Sequence, residues 1–600
     1  MSAFTFRAAK TTALGSALAL ALVAGLLTAP ASAAPIPDAT DCPGILPTSS
    51  VTPGMTGQGL TVVRGATPQP FAVEVLGVLE NGIGAGRDMI MIEASDLPGR
   101  NVISAGGGIW GGMSGSPVYI DGKLLGAVAY GFSPAPSTIG GVTPATDMLD
   151  LLDLPTPAAR MLAASTAAQK KVSLSAADRR AIASRAEAAV PAGFLEPLTL
   201  PMSVSGLTSN RLKRFQTEAE EADLPVFAFA ASRRAAPTAT ATLARPKAGG
   251  NFAAALSYGD LTVAGFGTTT AICGDQAVAF GHPYQFIGVS SYGANDANSL
   301  TIVKDTTYGS FKLASLGAQF GTVDQDRRAG LRADLTRVPA LTPITSTIQA
   351  TDNGKRRRGT TLAADATSLP LITAFGLLAN YDSVFDEIGE GRASTSWTIT
   401  GRRARNVPFT INRSNKFASQ LDISADAALD VADAVNALVT NEFEPVTIDG
   451  VSLLSTVTAA YQQWTITTMD VSVNGGPFRS PELLSVRAGA TLKARVRMRP
   501  YRSSAVKTSY FNLTVPANTS GRTGSLVVTG GADLALGYET TGSSFTSLIN
   551  SIKSRPRNDE VVARLVLEPL NGGTRPLTRT AKNRHSQTVT GERELAVEVR

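Results

Sequence analysis

Residues 106–131 read GGGIWGGMSGSPVYIDGKLLGAVAYG. Val118-Tyr119-Ile120 and Leu124-Leu125-Gly126-Ala127-Val128 flank Asp121-Gly122-Lys123. An Asp-Gly pair between two strand-forming runs predicts a tight β-hairpin. A glycine-rich loop therefore feeds straight into a hairpin. Upstream lie LTVVRG, FAVEVLGVL and DMIMIEA, separated by turns that contain glycine or proline, and each reads as a strand. Gly82, Gly84 and Gly86 are followed by a strand pattern rather than an apolar helix, so NGIGAGRD is a turn and not a dinucleotide loop. The segment predicts a mainly β fold.

Within the loop, Gly112-Met113-Ser114-Gly115-Ser116-Pro117 brackets one serine with glycines. Glycines there permit a tight backbone and open the hydroxyl of Ser114 to a partner. The turn can aim the N–H groups of Gly112 and Ser114 at one point, the arrangement that stabilises an oxyanion. A serine attacks only when a base takes its proton, and histidine is the usual base. The chain has only two, His282 and His585. His282 follows an apolar strand and sits between Gly281 and Pro283, where its ring can project from a strand end. His585 lies in RTAKNRHSQT, a polar basic tail, and His282 is preferred. Ser116 reads as a structural serine whose hydroxyl supports the loop.

The rest of the 600-residue chain bounds this chemistry. Hydrophobic residues make up 43% and charged residues 17%, with 57 glycines and 34 prolines. That excludes a charged disordered chain, a coiled coil and a collagen. Two cysteines and two histidines leave almost no room for a Cys/His zinc site, and neither metal nor cofactor is called for. A net charge of +6 is small for this length and does not point to nucleic acid. Arg7 and Lys10 precede an apolar run, Ala13 to Leu27, and then Ala31-Ser32-Ala33; this reads as a secretory signal peptide over residues 1–33. Export places Cys42 and Cys273 in an oxidising compartment. There they could form a disulfide tying the N-terminal region to the His282 segment, or remain two thiols.

The nucleophile segment is similar to that of the SpoIVB-type serine peptidases, family S55, whose Gly-Met-Ser-Gly-Ser-Pro is matched at Gly112–Pro117. The stretch IEASDLPG…GGIW also matches, and the resemblance places Asp96 where the family carries its catalytic acid. Asp88, Asp275 and Asp305 are rivals for that role. AVAFGHP resembles the family's Gly-His segment and puts His282 in the position of the base. SFKLASLGAQFGTVDQDRRAGL resembles stretches of exported bacterial proteins that carry this domain. The resemblance implies a chymotrypsin-like β-barrel unit with the site between lobes. The chain order differs: Asp96, Ser114, His282 here, against His, Asp, Ser in SpoIVB. A permuted arrangement is implied, and triad geometry does recur in different chain orders.

The expected fold class is mainly β: a chymotrypsin-like β-barrel peptidase unit, a partly helical insertion and a C-terminal β-sandwich-like domain. The expected boundaries are a peptidase segment with Asp96 and Ser114 at 34–155, an insertion and linker at 156–250, a peptidase segment with His282 at 251–395, and the C-terminal β-rich domain at 396–600. Helices are expected at Ala176 to Ala189 and, behind a cap at Ser424, at Ala425 to Val439. Leu492, Ala494, Val496 and Met498 alternate with basic residues as one half-buried strand. The expected function is an exported serine endopeptidase, secreted or in the cell envelope, acting on a protein or peptide, itself included. The alternative is a catalytically silent envelope protein that keeps the fold for binding or structure. No transmembrane segment is expected after signal cleavage.

Overall fold

The computed structural model describes residues 42–132, 136–155, 171–221, 226–232, 245–305, 309–569 and 575–600. The signal segment expected at residues 1–33 lies outside these. Among the described residues, no helix is long and apolar enough to cross a membrane.

The first six strands are β1 (Thr56–Thr61), β2 (Gln69–Gly84), β3 (Arg87–Ser95), β4 (Ser116–Ile120), β5 (Lys123–Phe132) and β6 (Ile139–Pro144). They pair in the order β4-β1-β2-β3-β6-β5, and β4 also pairs with β5, so the sheet closes into a six-stranded barrel. Closure removes the free edges that an open sheet would present. The expected hairpin is β4–β5, with Asp121 and Gly122 both at positive φ in its turn. Phe71, Val75, Ile90, Ile92, Val118, Leu125 and Val128 point inward at 0% exposure and fill the barrel.

The next elements are α1 (Ala145–Leu149), β7 (Val172–Ser173), α2 (Ala176–Ala183), β8 (Phe194–Pro197), β9 (Leu200–Ser205), α3 (Ser209–Glu221) and β10 (Val226–Ala230). Helix α2 has the expected capping box from Ser175 and Asp178 but stops at Ala183, six residues short of the expected end. This region is not a separate insertion. Strand β8 extends the first sheet beside β5, and β9 enters the second sheet.

A second closed ring follows: β11 (Asn251–Gly259), β12 (Thr262–Cys273), β13 (Gln276–Ala279), β14 (Gly288–Val303), β15 (Phe311–Arg327) and β16 (Gly330–Asp334). It pairs in the order β11-β12-β13-β16-β15-β14 and returns to β11. Counted within each ring, both have the strand order 1-2-3-6-5-4. The mainly β, chymotrypsin-like class is thus present, with further sheets attached.

Strands β17 (Thr342–Ala350) and β18 (Arg356–Ala363), helix α4 (Leu369–Phe385), strands β19 (Gly391–Arg403) and β20 (Val407–Ser419), helix α5 (Ile423–Val439) and strand β21 (Thr447–Thr458) continue the second sheet. Helix α5 is capped by Asp422, whose side chain accepts from the Ala425 amide, and not by Ser424, which is buried. The expected boundary at 396 falls inside β19 and is corrected: the ladder runs unbroken through Thr458. The C-terminal domain begins instead with β22 (Gln463–Val473). It comprises β23 (Leu483–Val486), β24 (Thr491–Pro500), β25 (Lys507–Thr514), β26 (Thr523–Gly530), α6 (Gly531–Leu536), α7 (Phe545–Ser554), β27 (Glu560–Leu567), β28 (Leu577–Arg584), β29 (Thr588–Thr590) and β30 (Glu592–Val599). A four-stranded and a five-stranded sheet share one core there, as a sandwich does. Leu492, Ala494, Val496 and Met498 of β24 face that core at 0% exposure, as their alternation predicts.

Candidate active site

Ser114 sits in the connection between the third and fourth strands of the first ring, just before β4. His282 sits in the same connection of the second ring, just after β13. The repeated topology brings the two connections together, and His282 Nε2 lies 2.8 Å from Ser114 Oγ.

The loop's conformation follows from its glycines. Gly112 (φ +98°) and Gly115 (φ +94°) occupy the region that side chains resist. A Cβ on Gly115 would lie 2.1 Å from the Thr268 carbonyl oxygen and 2.5 Å from the Phe280 nitrogen, so only glycine fits against the second ring. Strand β12 grips the loop. The Thr268 amide donates to Ser114 O at 2.8 Å, and the Thr268 and Thr270 hydroxyls donate to Gly112 O and Gly115 O at 3.0 and 2.8 Å.

The peptide units that end in the N–H groups of Gly112 and Ser114 are pinned through their carbonyls. Gly111 O accepts from the Lys312 amide and Met113 O from the Ser116 amide, both at 2.8 Å. The N–H groups themselves donate to no acceptor among the described residues, although both residues are buried. Buried amides normally find partners, so two unspent donors beside a serine hydroxyl are a feature to explain.

His282 is aimed by strain. Phe280 adopts φ +71°, and the Gly281 amide closes a three-residue turn on the Ala279 carbonyl at 2.9 Å. Such a turn costs about 1–3 kcal/mol for a non-glycine residue. Gly281 (φ +70°) follows, and its carbonyl accepts from Thr143 Oγ1 of the first ring at 2.6 Å. The ring's other nitrogen, Nδ1, lies 2.8 Å from the Pro283 carbonyl oxygen. A carbonyl can only accept, so Nδ1 carries the proton in the neutral ring and Nε2 is left as the acceptor for the Ser114 hydroxyl. Burial is complete at both residues and depresses the His282 pKa to about 4. The imidazole is therefore neutral across the physiological range.

Asp96 does not meet His282, so the expectation that it orients the ring is corrected. Its carboxylate takes the amides of Val102 (2.6 Å), Ile103 (2.7 Å) and Ser104 (3.2 Å) and the Ser104 hydroxyl. These bonds to the charged form outweigh desolvation and hold its pKa below the usual carboxylate range. The residue shapes the loop leading to Trp110, whose Nε1–H donates to the Val102 carbonyl at 3.0 Å. Among the rivals, Asp88 accepts from the Asn81 amide, and the Asp275 carbonyl from the Leu335 amide. Neither bonds to His282. His585 is not in an exposed tail. It is buried against the sandwich, its amide bonded to the Asp559 carbonyl at 2.7 Å.

A disulfide joins Cys42 to Cys273, whose Cα atoms are 4.4 Å apart. It ties the start of the described chain to the end of β12, the strand that grips Ser114. Lys312, which sequence reading passed over, is fully buried against the nucleophile loop. Its Nζ donates to Asn251 Oδ1 at 2.9 Å, and its pKa falls to about 7 through burial. The signal for it was a lone lysine in the apolar start of SFKLASLG.

The family model for SpoIVB peptidase S55 matches residues 42–149. S55 is a serine peptidase family, and the match, which covers less than half of the chain, makes this segment similar to it. The match spans the whole first barrel, with Cys42 and the Ser114 loop, and ends before His282. No curated protein and no solved structure matches the chain.

The Ser114 loop is covered. Strand β8 lies antiparallel on β5, with Gly131 opposite Glu196, and the Leu198 amide donates to Ala129 O at 2.9 Å. The chain then crosses the nucleophile loop. A Cβ on Gly111 would lie 2.5 Å from Thr199 O, and one on Gly112 would lie 3.4 Å from Pro201 Cγ. A small pocket of about 40 Å³ opens beside this crossing, lined by Ile109, Gly111, Phe132, Leu198, Thr199 and Ser310 among others.

Proposed function

We propose that the chain is an exported serine endopeptidase in which Ser114 is the nucleophile and His282 the base. One observation carries the reading: the 2.8 Å approach of His282 Nε2 to Ser114 Oγ, in a ring whose other nitrogen faces a carbonyl. The neutral tautomer is then the one a general base needs.

In the proposed reaction Ser114 Oγ attacks a peptide carbonyl carbon while its proton moves to His282 Nε2. The negative charge that forms on the carbonyl oxygen meets the unspent N–H groups of Gly112 and Ser114. The imidazolium keeps its Nδ1–H on the Pro283 carbonyl. It passes the Nε2 proton to the leaving amine as the C–N bond breaks, leaving an acyl-serine. Water, deprotonated by Nε2, attacks that ester and frees the serine, and the carboxyl product leaves. Asp96 serves in this reading by holding the 102–104 loop rather than by touching the ring.

The substrate class is protein or peptide, as the matched family implies. The disulfide between Cys42 and Cys273 supports export to an oxidising compartment, because such bonds are rare in the cytosol. The complete burial of Ser114 and His282 favours the rival reading, a silent binding or structural protein. Hydrolysis of a peptide library by the purified chain separates the two: cleavage that disappears in Ser114→Ala supports the peptidase, and no cleavage under any condition that exposes Ser114 supports its rival.

A further inference from the structure

The Pro283 carbonyl that receives His282 Nδ1–H belongs to the same peptide unit as the Tyr284 N–H. That N–H donates to Asp326 Oδ1 at 2.9 Å. The hydrogen bonds therefore run in one line: Ser114 Oγ to His282 Nε2, Nδ1 to Pro283 O, Tyr284 N to Asp326. We propose that Asp326 is the acidic positioning residue of this site and acts on His282 through the Pro283–Tyr284 peptide group.

Resting on the Ser114–His282 reading, this deepens it by supplying the charge that the ring's immediate surroundings lack. An amide polarised by a carboxylate at its N–H end has a more negative oxygen at its other end, and hydrogen bonds in a chain strengthen one another. The carbonyl then holds the imidazole more firmly and stabilises the imidazolium better. No proton reaches Asp326: the imidazolium keeps Nδ1–H, and the carboxylate stays charged.

The geometry around Asp326 fits this role. It lies on β15, and His282 follows β13, both strands of the second ring. Its Oδ2 accepts the Gln285 amide at 2.7 Å and the Tyr292 hydroxyl at 3.1 Å. It is fully buried and makes no ion pair among the described residues. Its charge is thus held by donors alone, among them the amides of Tyr284, Gln285 and Ile287 in the turn that carries His282. Tyr284 and Tyr292 are the titratable groups facing it, and Asp365 faces Tyr292 from beyond. Burial lifts the Asp326 pKa to about 6 against those donors, so it titrates above His282.

Two variants test the proposal. Asp326→Asn removes the charge and keeps the shape. The chain's two histidines give two ring systems in a nuclear magnetic resonance spectrum of isotope-labelled histidine. In Asp326→Asn the His282 Nδ1–H resonance shifts upfield, the ring's pKa falls, and the rate of fluorophosphonate labelling of Ser114 at pH 8 drops roughly tenfold to a hundredfold. Tyr292→Phe removes one donor and leaves the line of bonds intact. It moves the acid limb of the labelling rate to higher pH, because the carboxylate loses a bond to its charged form. A purely structural Asp326 predicts neither the resonance shift nor the moved limb. Unchanged His282 resonances in folded Asp326→Asn, or an unmoved acid limb in Tyr292→Phe, overturn the proposal. If wild-type Ser114 resists labelling while the resonances do shift, the nucleophile reading fails and the coupling of Asp326 to the ring stands.

Discussion

The amide of Thr268, on the second ring, donates to the carbonyl of Ser114, on the first, at 2.8 Å. The nucleophile loop is thus also the seam between the rings, and its geometry depends on both. Gly115 is the closest point of that seam. Gly115→Ala forces a Cβ into the Thr268 carbonyl at a backbone angle alanine resists. It should lower stability by about 3 kcal/mol or more in chemical denaturation and abolish reactivity at Ser114.

The disulfide closes a loop of 231 residues onto the strand that holds Ser114. In the chain-entropy account such a loop contributes roughly 5 kcal/mol, an upper value. Paired Cys42→Ala and Cys273→Ala substitutions, or reduction, should lower the denaturation midpoint and slow labelling of Ser114. An unchanged midpoint would remove the disulfide from the account of stability.

Acid sensitivity has a definite sign at His282. Its folded pKa is depressed from 6.5 to about 4, so between those values the unfolded chain binds a proton that the folded chain refuses. Stability falls as pH falls through that window, by about 3 kcal/mol in all. Asp326 opposes it, since its raised pKa makes the folded chain take up a proton first between about 6 and 3.8. Denaturation midpoints measured from pH 7 to 4 should therefore fall less steeply in His282→Gln than in the wild type.

The cover over the nucleophile predicts restricted access. No free cysteine occurs among the described residues, so Ser114→Cys offers a clean probe. Its thiol should react with iodoacetamide at least about tenfold more slowly than an exposed thiol. Leu198→Asp, which puts a charge where Leu198 meets Gly131, should release the crossing segment and speed the reaction. Equal rates with and without Leu198→Asp would mean that residues 198–201 do not control access.

Much of this was legible in the chain. The hairpin at Asp121-Gly122 and the alternation in β24 follow from short-range rules, and both elements stand where those rules put them. The pairing of Ser114 with His282 was legible because histidine is scarce and because His282, between Gly281 and Pro283, follows an apolar strand. Asp96 misled, because its motif position says nothing about which amides its carboxylate will meet. Asp326 was passed over for the complementary reason: its role depends on a peptide unit 42 residues earlier, and no local pattern in VDQDRR marks it. The boundary near 396 failed since α4 and α5 cover strands of one continuous sheet, and composition does not change where a ladder continues.

The most direct measurement is mass spectrometry of the purified chain after a fluorophosphonate probe, beside Ser114→Ala and His282→Ala. The account predicts one adduct on Ser114 in the wild type, formed faster when Leu198→Asp is added, and none in either variant. An adduct on another residue, or labelling that persists in Ser114→Ala, would contradict it.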